Sequence, residues 1–119
     1  MHITERRAGD VTILELEGRL ILGEEGEVPL RDWVNRLVAE QRAKIVLDLR
    51  KVTRLDSAGV GMLVSKYLTA FRNGGRVKLL HLTSRADELM RITKLCGVFE
   101  MFESEDEAIR SFGKDRAPS

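Results

Sequence analysis

Residues 44–49 read Lys-Ile-Val-Leu-Asp-Leu, apolar at nearly every position instead of at every second one. A strand with that pattern is covered on both faces, as in a parallel sheet. Residues 77–82 form a second run of the same kind. Between the two, Val60, Leu63, Val64, Tyr67, Leu68 and Phe71 recur at spacings of three and four, which is one face of an amphipathic helix. Strand, helix, strand in that order restricts the chain to a layered α/β domain with right-handed crossovers.

The rest of the chain fits this frame. Segments 3–7 and 11–17 flank Ala8-Gly9-Asp10, and Val11, Ile13, Leu14 and Leu16 alternate roughly with polar neighbours. The pair reads as a β-hairpin, closed at its far end by Gly18. Residues 19–28 read as a loop that leads into a helix, with Pro29 in the first turn, where its missing N–H is harmless. Leu30, Trp33, Val34, Leu37 and Val38 form the buried stripe of that helix, which makes Trp33 a core residue. Residues 52–56 read as a connection. Asn73-Gly74-Gly75 stops the central helix with residues that tolerate positive φ.

Ser84 is placed to cap a further helix, with Asp87 and Glu88 in its first turn. Leu89, Ile92 and Leu95 or Cys96 supply the buried side of that helix, and Gly97 ends it. Residues 98–102 read as a short last strand. Ser104 opens a last helix, from which Ala108, Ile109 and Phe112 pack inward. The predicted order is ββαβαβαβα, a mixed sheet with packed helices, in one domain over residues 1–113. Residues 114–119 are expected to form a flexible tail.

Composition narrows the function classes. A hydrophobic fraction of 43% with 33% charged residues belongs to a folded globular chain and argues against disorder. The net charge is +1, with acids and bases interspersed, so no direct nucleic-acid partner is expected. One cysteine forms no internal disulfide, which fits a reducing compartment and a buried thiol at Cys96. Residues 1–10 are polar, without an apolar signal core, and no apolar run is long enough to span a bilayer. A cytoplasmic protein without membrane insertion is expected. With His2 and His81 far apart, neither a metal site nor a cofactor is expected.

The segment with chemical content is Leu55-Asp56-Ser57-Ala58-Gly59-Val60-Gly61-Met62, at a strand-to-helix junction. Ser57 falls at or near the N-cap. Two glycines and an alanine in one helical turn make a low, smooth surface. Each glycine costs a helix about 0.5–1 kcal/mol relative to alanine, so two in one turn point to a purpose other than stability. Close approach of a partner's backbone or of a ligand is the natural candidate, and Gly59 and Gly61 are read as interface glycines, with tight packing under a neighbouring loop as the alternative. Met62 fits either an adaptable binding surface or the core. Asp56 fits either a cap or a recognition determinant.

Asp56-Ser57-Ala58-Gly59-Val60-Gly61 resembles the phosphorylation motif of bacterial anti-sigma factor antagonists, the small STAS-domain proteins. Residues 45–49 resemble the family's preceding strand. Asn73-Gly74-Gly75-Arg76-Val77 resembles its glycine turn, and the resemblance covers about residues 3–112. It implies a single STAS domain that is not an enzyme. It implies a cycle in which the unphosphorylated form binds an anti-sigma factor with serine kinase activity and so frees a sigma factor. Phosphorylation of Ser57 then abolishes binding, and a PP2C-type phosphatase restores it. The implied contact residues are Asp56, Ser57, Ala58, Gly59, Gly61 and Met62, together with Leu20, Ile21 and Leu22 from the loop after the second strand. That loop departs from the family at Ile21, where many members carry an acidic residue, and it continues with Glu24 and Glu25.

Catalytic readings lack their motifs. Ser57 is outside a Gly-x-Ser-x-Gly elbow, no Walker phosphate loop is present, and Gly59-Val60-Gly61 is too short for a dinucleotide fingerprint. No catalytic residue is assigned. The rival reading is a non-switching STAS subunit of a lipid-transport ATPase or a signalling scaffold, docked permanently through the same helix end. A small-ligand or nucleotide-binding module is a further alternative.

Overall fold

The computed structural model describes residues 1–23, 27–95 and 97–115. The expected contributions of Glu24, Glu25, Cys96 and the last four residues lie outside that set. The elements run β1 (His2–Ala8), β2 (Val11–Leu20), α1 (Glu27–Ala39), β3 (Lys44–Leu55), α2 (Ser57–Arg72), β4 (Arg76–Leu80), α3 (Ser84–Ile92), β5 (Met101–Phe102) and α4 (Glu105–Ser111). The order ββαβαβαβα is borne out. A 3-10 turn at Phe112–Asp115 follows α4, so regular backbone runs into the start of the expected tail. No helix among the described residues is long and apolar enough to cross a membrane.

The five strands lie in sequence order, β1-β2-β3-β4-β5. β1 and β2 are antiparallel, and every later pair is parallel. The continuous apolar run of β3 is explained by burial on both faces. Ile45, Leu47 and Leu49 join the larger core cluster, with Leu30, Val34 and Leu37 of α1, Val60 and Leu63 of α2, and Leu89 and Met90 of α3. Val46 faces the other way and packs with Val11, Ile13, Leu80, Ala108 and Phe112 in a second cluster under α4. Helices α1–α3 therefore cover one face of the sheet and α4 covers part of the other.

Two strands run further than their patterns predict. β2 passes through Gly18, at φ +124, and ends at Leu20. Register shifts between Glu15 and Glu17 and between Gly18 and Arg19 mark irregularities that reset the alternation. β3 continues past Leu49 to Leu55, so residues 52–55 are strand and not a connection; Leu20 pairs with Leu55. β4 ends at Leu80, where His81 takes φ 56 and leaves the sheet. The last strand shrinks to two residues. Helix α3 is capped by Thr83, whose side chain accepts from the Ala86 N–H, and not by Ser84. It stops at Ile92, well before Gly97, and Ile92 is exposed instead of buried.

Polar side chains fasten the layers. Arg6 of β1 forms a bidentate pair with Glu105 of α4, at 2.6 and 3.1 Å. Lys78 is buried on the α4 side of β4, where its Nζ donates to Ser111 Oγ at 2.8 Å and lies 2.7 Å from a Glu100 carboxylate oxygen. Trp33 is half-buried and not fully core; its Nε1–H donates to Glu5 Oε1 at 2.9 Å. Arg42 Nη2 donates to Glu5 Oε2 at 2.9 Å.

The Glu5 carboxyl is pulled from 4.5 down to about 2, first by the Trp33 indole and then by the Arg42 guanidinium. A folded value below the unfolded one gives stability that is complete above about pH 4.5 and is lost as pH falls toward about 2. The carboxyl is partly solvated, which limits the effect. Glu5→Gln is expected to lower stability at pH 7 by about 1–2 kcal/mol in urea unfolding. The gap from wild type should close as the pH is lowered through that window. A gap that stays constant with pH contradicts this account.

Candidate functional site

The end of β2 lies directly on the first turn of α2. An ideal Cβ on Gly59 would sit 2.0 Å from the Leu20 carbonyl oxygen and 2.7 Å from Leu55 Cδ1. Glycine is what permits this approach. The N-cap of α2 is Asp56, in extended conformation at φ −121, ψ −176. Ser57 is therefore the first helical residue and not the cap. Asp56 Oδ1 accepts the Gly59 N–H at 2.8 Å, and Oδ2 accepts the Leu22 N–H at 3.0 Å. These two bonds, Leu22 first and then Gly59, hold the carboxyl below the usual carboxylate range. Asp56 is thus an ionised group beside Ser57, and the capping alternative left open by its sequence is the geometry observed.

The Ser57 hydroxyl is exposed and makes no hydrogen bond among the described residues. It stands where backbone N–H groups and the helix macrodipole favour negative charge. Leu22, whose N–H is bound by the neighbouring Asp56 carboxylate, is 77% exposed. Gly61, one turn further along, is exposed, and nothing lies within 4 Å of a Cβ built on it. Ala58 and Ile21 are half-buried.

Three of the expected contact residues lie in the interior. Leu20 is 0% exposed, Met62 is 8% exposed and belongs to the main core, and Gly59 is buried under Leu20. They support the surface from beneath instead of forming it. The helix is rotated relative to its apolar stripe, because the Leu20 backbone occupies the Gly59 side. Leu68 and Phe71, assigned to the packed stripe, are 40% and 50% exposed in consequence.

That rotation brings a further row of residues to the surface, which the apolar periodicity alone does not mark. Gly61, Ser65, Leu68 and Arg72 are all exposed, at spacings of four, three and four. They continue the face that begins at Ser57. The helical period carries this signal once its phase is set from Gly59. The ridge from Ser57 to Leu68 is about 16 Å long at 1.5 Å per residue.

The family model for the STAS domain matches residues 2–108. A similar solved structure is a Thermotoga maritima protein assigned as an anti-sigma factor antagonist, with TM-score 0.84 and 21% identity over 93% of this chain and 94% of that one. An anti-sigma factor antagonist from Mycobacterium paratuberculosis has TM-score 0.78 and 18% identity, over 94% and 93% of the two chains. The phosphorylated form of the Bacillus cell fate determinant SpoIIAA has TM-score 0.70 and 19% identity, over 92% and 98%. At such identities the likeness to these structures is one of fold.

Proposed function

The chain belongs to the STAS domain family, and we propose that it is an anti-sigma factor antagonist whose binding is switched at Ser57. In this reading the unmodified protein docks on an anti-sigma factor that is also a serine kinase, and the sigma factor is released. The kinase transfers a phosphoryl group to the Ser57 hydroxyl, the complex separates, and a PP2C-type phosphatase resets the cycle. The chain is the substrate of that cycle and catalyses no step of it. The cycle belongs in the cytoplasm.

The observation that carries this reading is the exposed Ser57 hydroxyl on the first turn of α2, without a hydrogen bond among the described residues and next in sequence to the Asp56 that binds the Leu22 N–H. A phosphate there adds about −1.5 to −2 charges at neutral pH. A helix start accepts that charge, so the isolated domain stays folded. A partner that covers the site must take the charge out of water, close to the Asp56 carboxylate, and binding weakens. The contact surface is Leu22, Ile21, Ser57, Ala58 and Gly61, with Ser65 and Leu68 at its margin.

The test is co-purification of the tagged protein from its native cells, followed by mass spectrometry. Trypsin releases residues 55–66, which contain both Ser57 and Ser65, so fragmentation must locate the phosphate. Phosphate on Ser57 in the free pool and its absence from the partner-bound pool are expected. Equal occupancy in both pools, or none in either, contradicts the switch and favours a permanently docked STAS subunit.

A further inference from the structure

Asp56 has two partners, and they belong to different parts of the fold. Oδ1 serves the Gly59 N–H inside α2, at 2.8 Å. Oδ2 reaches the Leu22 N–H, 34 residues away in the chain, at 3.0 Å. A helix cap needs only the first of these bonds. The second fastens the chain just beyond β2 to the mouth of α2. Below it, the Leu20 carbonyl rests on Gly59, so the same strip of chain is held at two consecutive points. The side chain presented by this clamp is a leucine 77% exposed to solvent.

We propose that Asp56 is a positioning residue for docking, which fixes Leu22 as an apolar post beside the Ser57 hydroxyl so that one partner surface reads both. This deepens the reading of Ser57 as the switch and rests on it. The partner chemistry that fits is a nonpolar pocket, for Leu22, next to a polar site that meets the serine hydroxyl. A loop already held in its bound shape loses less freedom on association, so the clamp raises affinity without touching the partner. The Leu22 and Gly59 N–H donors hold the Asp56 carboxyl below the usual carboxylate range, so both oxygens are available as acceptors at neutral pH.

Asp56→Asn separates the two bonds. Asparagine keeps one acceptor oxygen, which can still cap the helix, and turns the other position into a donor facing a donor. Asp56→Ser is the second variant, because serine caps helices well with a single short acceptor. Amide hydrogen exchange of the full chain is read at Leu22 and at Gly59. Affinity is read by calorimetry against the purified serine-kinase anti-sigma factor that accompanies the wild-type chain.

In both variants Leu22 exchange should speed up about tenfold or more, while the amides of α2 beyond the first turn stay protected. Affinity should fall about tenfold. Leu22→Ala, which keeps the clamp and removes the post, should lose a similar factor. Unchanged Leu22 exchange overturns the proposal, as does faster exchange with unchanged affinity. Weakened binding by Ser57→Glu together with full binding by Asp56→Asn overturns the clamp alone. Full binding by Ser57→Glu overturns the switch and the clamp with it.

Discussion

Ser57→Glu is expected to weaken binding to the anti-sigma factor about 100-fold or more, while the thermal midpoint of the free protein stays within about 4 °C of wild type. Both halves follow from the placement of Ser57 as the first residue of α2, exposed and without an internal hydrogen bond among the described residues. In the free protein, a carboxylate in the first helical turn is favoured by about 0.3–1 kcal/mol. A change of about 1 kcal/mol moves the midpoint of a domain this size by only a few degrees. In the complex the same charge is covered without a counter-ion, and an unpaired buried charge costs about 3 kcal/mol or more. Each 1.4 kcal/mol is about a factor of ten, which sets the expected loss at two decades.

The fixed Asp56 carboxylate next door adds like-charge repulsion. A phosphate carries more charge than the glutamate, so the modified protein should bind more weakly still. Calorimetric titration and a thermal melt of the same samples check the prediction. A mutant that fails to fold, or one that binds as tightly as wild type, refutes it.

Gly59→Ala and Gly61→Ala should change stability in opposite directions. The alanine Cβ at position 59 would lie 2.0 Å from the Leu20 carbonyl oxygen and 2.7 Å from Leu55 Cδ1. The nearest obstacle is backbone, and backbone on a strand end cannot swing aside as a side chain does. β2 and α2 must separate, and the cost is about 3 kcal/mol, at the upper end for overpacking. That corresponds to a loss of about 10 °C in midpoint. Position 61 has open space, so the alanine there gains about 0.5–1 kcal/mol of helix preference. The same methyl group raises the shelf on which the partner rests, and binding should weaken severalfold. Equal destabilisation at both positions, measured by urea unfolding, would refute the packing difference described for them.

What could be read from the sequence followed from periodicity. The change from continuous apolar runs at Ile45–Val46–Leu47 to a three-and-four spacing after Val60 gave the layers and the junction where Ser57 lies. The order of elements was legible for the same reason. Strand ends were not. The register shifts between Glu15 and Glu17 and again after Gly18, and buried Val52 and Leu55 fall three apart, a spacing that does not look like a strand. The phase of α2 was misread because it was set by apolar side chains alone. Gly59, with no side chain to count, is the residue in closest contact, and Leu68 and Phe71 are exposed.

The cap of α3 lies one residue before the expected Ser84, at Thr83, and the choice between Asp56 and Ser57 at α2 stayed open, since adjacent residues of capping type are indistinguishable without backbone angles. The bond from Asp56 to Leu22 spans 34 residues and has no local signature at all.

The strands of the sheet succeed one another in space as they do along the chain. After β1 and β2 have paired, every further strand finds its neighbour already made, and each parallel crossover closes around a single helix. A chain emerging from the ribosome can therefore add these pairings one at a time. The surface around Ser57 is assembled from β2, β3 and α2, which are complete at Arg72. Its parts have therefore all been synthesised before β4, α3, β5 and α4 are made.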